Sequence, residues 1–409
     1  MLNKLLVYRL KKVPIFMLKQ TSFKSKIRFC VVLLICILAG AEVDIFIPSF
    51  PELQKVYDLS PFMVQLTVSV NFIAYCICSL FAGTMGDKYN RRTVILTSLS
   101  IFVLGSVCCV FSLNFVMLII GRFLQGIGMA GPAVLGYVVM MNDYPPEKRP
   151  AVMGTLNGLV TLSMAFAPLL GSYINLYFGW RANFVILLVM SLLCLSGGYF
   201  TIANKKGDKS ISLSPTSYLE IFRSPEAMNL ILGMTFLSVT YWLFVSMSPI
   251  LYMESFGVKL EHFGFYQGSV CGVFSIISLC SARILNKFGQ KNCLYGGLIL
   301  CALSGVLFLT LGILNIKNVA IINAVMLVFA MAAVFPCNIM YPFSLNILEN
   351  SAGRVTALLN SLRLLLTAIA IEIIGFYYND SFLPLGLTMF LCILVSSYFM
   401  RLSVRSVKL

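Results

Sequence analysis

Long apolar runs, separated by short polar turns, recur from one end of the chain to the other. Twelve are long enough to be predicted as membrane-spanning helices: 29–50, 61–82, 93–113, 116–140, 152–177, 184–203, 228–253, 265–285, 293–314, 319–345, 355–378 and 383–400. Each approaches the roughly 20 apolar residues that a helix needs to cross a bilayer. The longest polar interruption, "NKKGDKSISLSPTSYLEIFRSPE", begins at Asn204 and divides the spans six and six. The expected organisation is an arm (1–28), a first six-helix bundle (29–203), a linker (204–227), a second six-helix bundle (228–402) and a short tail (403–409). A weak internal repeat supports the division. "GTMGDKYNRR" (83–92) follows the second span and "ARILNKFGQK" (282–291) follows the eighth. Aligned without gaps, Asp87 meets Asn286, Lys88 meets Lys287, Asn90 meets Gly289, and Arg91 and Arg92 meet Gln290 and Lys291. An all-α membrane protein of two pseudo-symmetric six-helix bundles, with a site between them, is the plan this pattern predicts.

Composition agrees. Of the 409 residues, 59% are hydrophobic and 11% charged, with a mean hydropathy of +0.92, whereas soluble domains carry about 25% charge. The formal charge of +15 suggests nucleic acid until its placement is considered. Of 30 Lys and Arg, only Lys55, Arg181, Lys259 and Lys317 fall in loops on one side, and Arg122 and Arg363 fall within spans. The other 24 lie on the side of both termini. That asymmetry sets both termini in the cytoplasm, in an inner (plasma) membrane. The bilayer and a small molecule are then the expected partners, nucleic acid is not, and a monomer is expected. The acid-free arm either rests on anionic lipid or is a solvated, topology-setting segment. It lacks a cleavable signal pattern, and Met17 is an alternative start.

The chemistry on offer is sparse. Thirteen Cys are scattered, and Cys76-Ile77-Cys78 and Cys108-Cys109 lack metal-site spacing; His262 is the only histidine. No metal site or Ser–His catalysis is expected. No phosphate-binding loop is present, so no cofactor is expected and the energy source is an ion gradient, with protons the first choice. What stands out is charge inside the spans. Glu42 and Asp44 sit in "ILAGAEVDIFIPSFP" (37–51), and Arg122 sits in "LIIGRFLQGIGMAGP" (118–132). Such a charge costs roughly 2.5–3.5 kcal/mol on insertion scales and usually faces a cavity and a partner. Asp44 and Arg122 each lie about 9 Å inside the outer end of their span, so they pair if the first and fourth spans adjoin. Glu42 is about 200° around the helix from Asp44, so one acid is the working group and the other faces a second helix or is neutral; Asp44 is the favoured proton and substrate site, with Arg122 as its partner. Desolvation and a neighbouring guanidinium act oppositely on a carboxylate's hold on a proton, and a site that balances them exchanges a proton for a cationic solute.

Other candidates follow from helix geometry. Gln125 and Met129 share the face of Arg122. Gly126, Gly128, Gly154, Gly158 and Gly171, with Pro168, mark close helix approach or a kink. In the eleventh span Arg363 and Glu372 are about 180° apart; Arg363 is read as facing the cytoplasmic interface and Glu372 as a second proton site. Tyr75, Tyr241, Trp242 and Phe244, with Tyr341, are aromatic candidates for a pocket. In the turn at 83–92, Gly86 and Asn90 tolerate positive φ, and Lys88, Arg91 and Arg92 can face anionic headgroups.

A resemblance adds to this. Gly83, Asp87, Lys88, Arg91 and Arg92 match G-x-x-x-D-[RK]-x-G-[RK]-[RK], the signature between spans two and three of the major facilitator superfamily, with Asn90 where that family has Gly. Arg122, Gln125, Gly126 and Gly128 match its R-x-x-Q-G-x-G motif. Ala167-Pro168-Leu169-Leu170-Gly171-Ser172 resembles the antiporter motif G-P-x-x-G-G, with Ala and Ser replacing two glycines. Asp44, Pro48 and Pro51 fit D-x-x-x-P-x-x-P, which marks the bicyclomycin-resistance type of drug:proton antiporters. "SPILYMESFGVKLEHFG" (248–264) and "FPCN" (335–338) resemble stretches of the same group. The resemblance covers residues 29 to 402. It implies proton-coupled efflux of drugs or other small amphipathic molecules, the 83–92 loop as a gate, Arg122 linked to proton transfer, and no enzyme. Glu42 has no counterpart in the group. An importer, or an exporter of one endogenous metabolite, fits the same frame. A receptor or membrane enzyme is the more distant alternative.

Overall fold

In the computed structural model, the residues described are 23–142, 144, 149–204, 218–346 and 352–406. They contain helices and turns and no strand. The spans are, in order, Phe23–Ala41, Pro61–Met85, Arg91–Val110, Phe115–Asn142, Arg149–Phe178, Trp180–Thr201, Pro225–Pro249, Leu260–Phe288, Gln290–Ile313, Val319–Asn346, Ala352–Tyr377 and Leu383–Ser406. Most of the arm, most of the linker and the last three residues lie outside the described residues.

Local signals set the starts. Ser60 and Ser224 each precede a proline at the first helical position and accept from a backbone N–H three residues on, at 3.3 Å in both cases, an arrangement favoured at helix N-termini. Asn114 and Asn318 do the same for the fourth and tenth spans, accepting from Met117 and Ile321. In span ten, Pro336 and Pro342 are carried inside the helix.

Eleven of these helices are long and apolar enough to cross a membrane. Span one is the exception. The sequence predicts an unbroken helix to Phe50, but the apolar helix stops at Ala41. The chain then passes through a turn, a 3-10 turn at Ile47–Ser49 and a short helix at Phe50–Tyr57. Pro48 and Pro51 supply no N–H, so the helical ladder cannot be maintained through 44–51. The bonds become mixed instead: Ile45 N donates four residues back to Ala41 O at 3.0 Å, and Phe46 N only three back to Val43 O at 3.1 Å.

Spans one to six pack on one another, as do spans seven to twelve. The two bundles meet mainly where span two lies along span eleven and span five along span eight; the broken part of span one also touches spans seven and eight. Backbones come close where side chains are absent. A Cβ at Gly126 would overlap the Asn71 carbonyl of span two, and one at Gly128 the Phe102 backbone of span three. One at Gly171 would overlap the Ile45 carbonyl, so span five is the seat of the broken segment. Gly264 of span eight sits over Pro168, Leu169 and Ser172. Gly158 is different. A Cβ there would meet only Leu279, at an ordinary 3.6 Å, so it does not mark a close approach. The surroundings of Gly154 lie outside the described residues.

The 83–92 segment is a π-helical turn, Gly86–Asn90, running straight into span three. Asn90 has φ 131° and its side chain accepts from Arg92 N at 2.9 Å. Its counterpart in the repeat, Gly289, has φ 81°. Gly86 packs tightly on Leu135 of span four, and Gly83 more loosely on Val134. Arg92 donates to Tyr199 O at 2.6 Å and stacks on the Tyr199 ring, while the Asn90 amide bonds Asn204. Lys88 lies over the ring of Tyr89. Arg91 opens span three; the side chain of Asp87 lies outside the described residues.

On the opposite face Glu52 accepts from Trp180 N at 3.1 Å, at the start of span six. Burial lifts this carboxyl above its ordinary value, against the pull of that bond.

Gly171→Ala is expected to lower stability by about 1–3 kcal/mol, the usual effect of overpacking, and to impair transport. Gly158→Ala is expected to leave both unchanged. Thermal unfolding of the purified variants in detergent checks the pair.

Candidate functional site

Arg122 is fully buried where five helices converge. Its Nε donates to Thr67 O of span two at 2.9 Å, and its Nη1 to Gln125 Oε1, one turn along span four, at 2.8 Å. Gln125 Nε2 donates to Ser106 Oγ of span three at 2.9 Å. The guanidinium carbon lies 5.1 Å from the ring centre of Phe46 in the broken part of span one and 6.0 Å from that of Phe184 in span six. Asn71 Nδ2 donates to the backbone oxygen of Arg122 at 3.2 Å. A guanidinium held by a planar set of acceptors and two rings is fixed in direction. Its Nη2 is left without a hydrogen-bond partner.

The acid beside it is Glu42. Glu42 and Arg122 attract each other, and the Asn71 side chain also interacts favourably with the charged Glu42 carboxyl. The expected Asp44–Arg122 pairing is therefore corrected: spans one and four do adjoin, but Phe46 and Glu42 occupy that side. The reason is azimuth. Asp44 lies on the side opposite Glu42, towards the second bundle, where its charge is felt by Tyr241 of span seven and Cys271 of span eight. Tyr241 OH and Cys271 Sγ are 2.7 Å apart. Asp44 is fully buried, and neither of its oxygens has a hydrogen-bond partner. The two acids thus face different bundles, as their spacing requires.

Three candidates for the pocket lie elsewhere. Gln125 is committed to holding Arg122 inside the first bundle. Met129 is fully buried among core side chains, and Phe244 is a core residue packed on Tyr252 at 5.9 Å. Helical periodicity placed Met129 on the face of Arg122, but that face is itself covered by neighbouring spans. Trp242 does sit at the seam, edge-on to Phe72 of span two at 5.3 Å.

Span eleven brings two groups to the seam. Glu372 Oε1 accepts from Ser69 Oγ of span two, and its other oxygen is unpartnered. Arg363 is not at the cytoplasmic end of span eleven, as the sequence suggests, but near the middle of Ala352–Tyr377, where it is partly exposed. Its neighbours are Tyr75 of span two with Tyr341 and Cys337 of span ten. Nearby cross-bundle bonds join Gln65 Nε2 to Ser246 O at 2.9 Å and Ser79 Oγ to Ser361 Oγ at 2.9 Å. At the face away from the termini, the Gln54 amide, with its nitrogen towards the carboxylate, donates to Glu254 at 2.8 and 3.0 Å. Sequence reasoning missed Thr67, Asn71 and Ser106. Each is a polar residue inside an apolar run, which was the available signal.

Two helical bundles that enclose buried charges at their seam form the frame of a membrane transporter for small solutes. The chain belongs to the Major Facilitator Superfamily, whose sequence profile matches residues 32–371. It is 26% identical over 364 residues to the bicyclomycin resistance protein homolog of Haemophilus influenzae, covering 87% of this chain and 90% of that one. It is also 26% identical over 285 residues to the multidrug resistance protein MdtL of Salmonella typhimurium, covering 68% and 69%. Among solved structures, a bacterial homolog of the human lysosomal transporter Spinster, inward-facing and occupied, superposes with a TM-score of 0.73 at 18% identity, over 92% of this chain and 96% of that one. A D-xylose–proton symporter gives 0.70 at 15% identity, over 90% and 96%. Both share the fold.

Gln125→Leu strands Arg122 Nη1 and the Ser106 hydroxyl in an apolar interior. It is expected to destabilise the first bundle by about 1–3 kcal/mol, read as a lower detergent unfolding temperature.

Proposed function

We propose that this transporter exports small amphipathic, cationic molecules from the cytoplasm in exchange for protons. It works as a monomer in the inner (plasma) membrane, with both termini cytoplasmic. The observation that carries this reading is the pair of acids at the break in span one, buried and turned to different bundles. Glu42, beside Arg122, is the proton carrier. Proton binding there cancels the negative charge near the guanidinium and leaves the field of Arg122 uncompensated, with little rearrangement of the groups that hold it. Asp44, with two free oxygens opposite Tyr241, is the group a cationic solute approaches, and Trp242 and Phe72 offer ring faces nearby. Glu372, bonded to Ser69 across the seam, is a second acid whose protonation loosens the bundles. The basic turn at Gly83–Arg92, anchored to the end of span six, steadies the cytoplasmic gate.

Further support comes from the 24 Lys and Arg on the side of the termini and from the relatives, named for resistance to bicyclomycin and to multiple drugs. No bound cofactor is required, because the gradient supplies the free energy.

The test is efflux from proteoliposomes or inverted vesicles under an imposed pH gradient. Asp44→Asn is expected to lower cation efflux at least about tenfold, the loss of one charged hydrogen bond. Glu42→Gln is expected to retain substrate exchange but lose its acceleration by the gradient. Gradient-driven efflux by Glu42→Gln at the native rate would remove that acid from coupling. Acceleration by sodium in place of protons would redirect the scheme, and uptake in the same vesicle orientation would favour an importer.

A further inference from the structure

Arg363 is a second guanidinium inside the membrane domain, and the exchange scheme does not use it. Its Nε is buried and has no hydrogen-bond partner. No carboxylate pairs with it among the described residues, where the ion pairs lie at Lys259, His262 and Arg354. Its neighbours are instead two phenols and a thiol: Tyr75 from the first bundle, Tyr341 and Cys337 from the second. Tyr137 of span four feels both tyrosines, and Tyr75 feels the charges of both Arg363 and Glu42. The helix bearing the guanidinium is pinned at this level. Two residues earlier, Ser361 bonds Ser79 Oγ at 2.9 Å and Cys76 O at 3.2 Å, both on span two. Span eleven is therefore held at the seam here, while Arg363 itself is only partly buried, so its guanidinium is open to a solute.

A charge kept in a bilayer without an opposite charge is costly, and such residues mark substrate pathways. A guanidinium presents a planar fork of N–H donors that fits a carboxylate with two bonds, and phenol hydroxyls add donors beside it. The acids of span one lie across the same seam. A solute carrying both signs can meet both sets at once.

We propose that Arg363, with Tyr75 and Tyr341, forms an anion subsite that receives the carboxylate of an amphoteric substrate whose cationic end is drawn to the acids of span one. This rests on the exporter reading and narrows it to zwitterionic amphipathic solutes. Arg363 acts by touching the substrate, and Tyr75 joins the two charged regions.

The test compares a zwitterionic piperazinyl quinolone with its ethyl ester, which keeps the amine and loses the carboxylate. Binding to purified protein is read from quenching of tryptophan fluorescence, and efflux from proteoliposomes. The native chain is expected to favour the acid over the ester. Arg363→Gln is expected to reduce that preference about 10- to 100-fold, the effect of losing a charged pair of hydrogen bonds. Arg363→Lys is expected to be intermediate, since it keeps the charge without the fork. An acid-to-ester ratio of one in the native chain overturns the subsite. So does an unchanged ratio in a folded Arg363→Gln. Acid-selective binding without efflux of either compound strikes the exporter reading and leaves the subsite standing.

Discussion

The unwound stretch of span one between Ala41 and Ile47 governs the rest of the molecule. A helix cannot pass two prolines three residues apart without losing bonds, and in a bilayer the freed groups must be met by protein. Gly171 of span five lacks a side chain, so the Ile45 carbonyl can lie against bare backbone and the segment is seated closely in protein. From that contact follow the directions of Glu42, Asp44 and Phe46. One acid turns inward to the first bundle and the other outward to the second, and the ring of Phe46 lies under the guanidinium.

Arg122 shows how a charge is kept inside such a protein. It is satisfied mostly by neutral acceptors, the Thr67 carbonyl and the Gln125 amide, with rings on its faces and one acid at longer range. A direct ion pair would lock the site. A looser set leaves the nearby carboxylate free to take up and give away a proton with little rearrangement. The seam between bundles is built the same way, from single hydrogen bonds between side chains such as Ser69, Ser79 and Gln65 and their counterparts. Small separate bonds of this kind can be exchanged as the bundles rock.

Much of the frame was legible because the bilayer imposes one rule on every span. Apolar length fixed twelve runs, and positive φ at Asn90 followed from residue type. The site was less legible. Periodicity gives angles within one helix but not which angle faces a neighbour. Met129 and Phe244 were thus read as pocket residues and proved to be core. The partner of Arg122 was misassigned because the pairing assumed a straight span one, and Pro48 had already signalled that it was not. Arg363 looked superficial by its distance along the chain, whereas it lies near the middle of span eleven in the field of Tyr75, Tyr341 and Cys337.

Asn90 and Gly289 share one unusual backbone sign at equivalent turns, and Asn114 and Asn318 cap equivalent helices. These coincidences point to an ancestor of half the present length. Because each half crosses the bilayer an even number of times, a tandem copy would emerge in the same orientation as the original. Fusion then needed no inversion of inserted segments, and each half was left to diverge, each keeping its own arginine and acid inside the membrane domain.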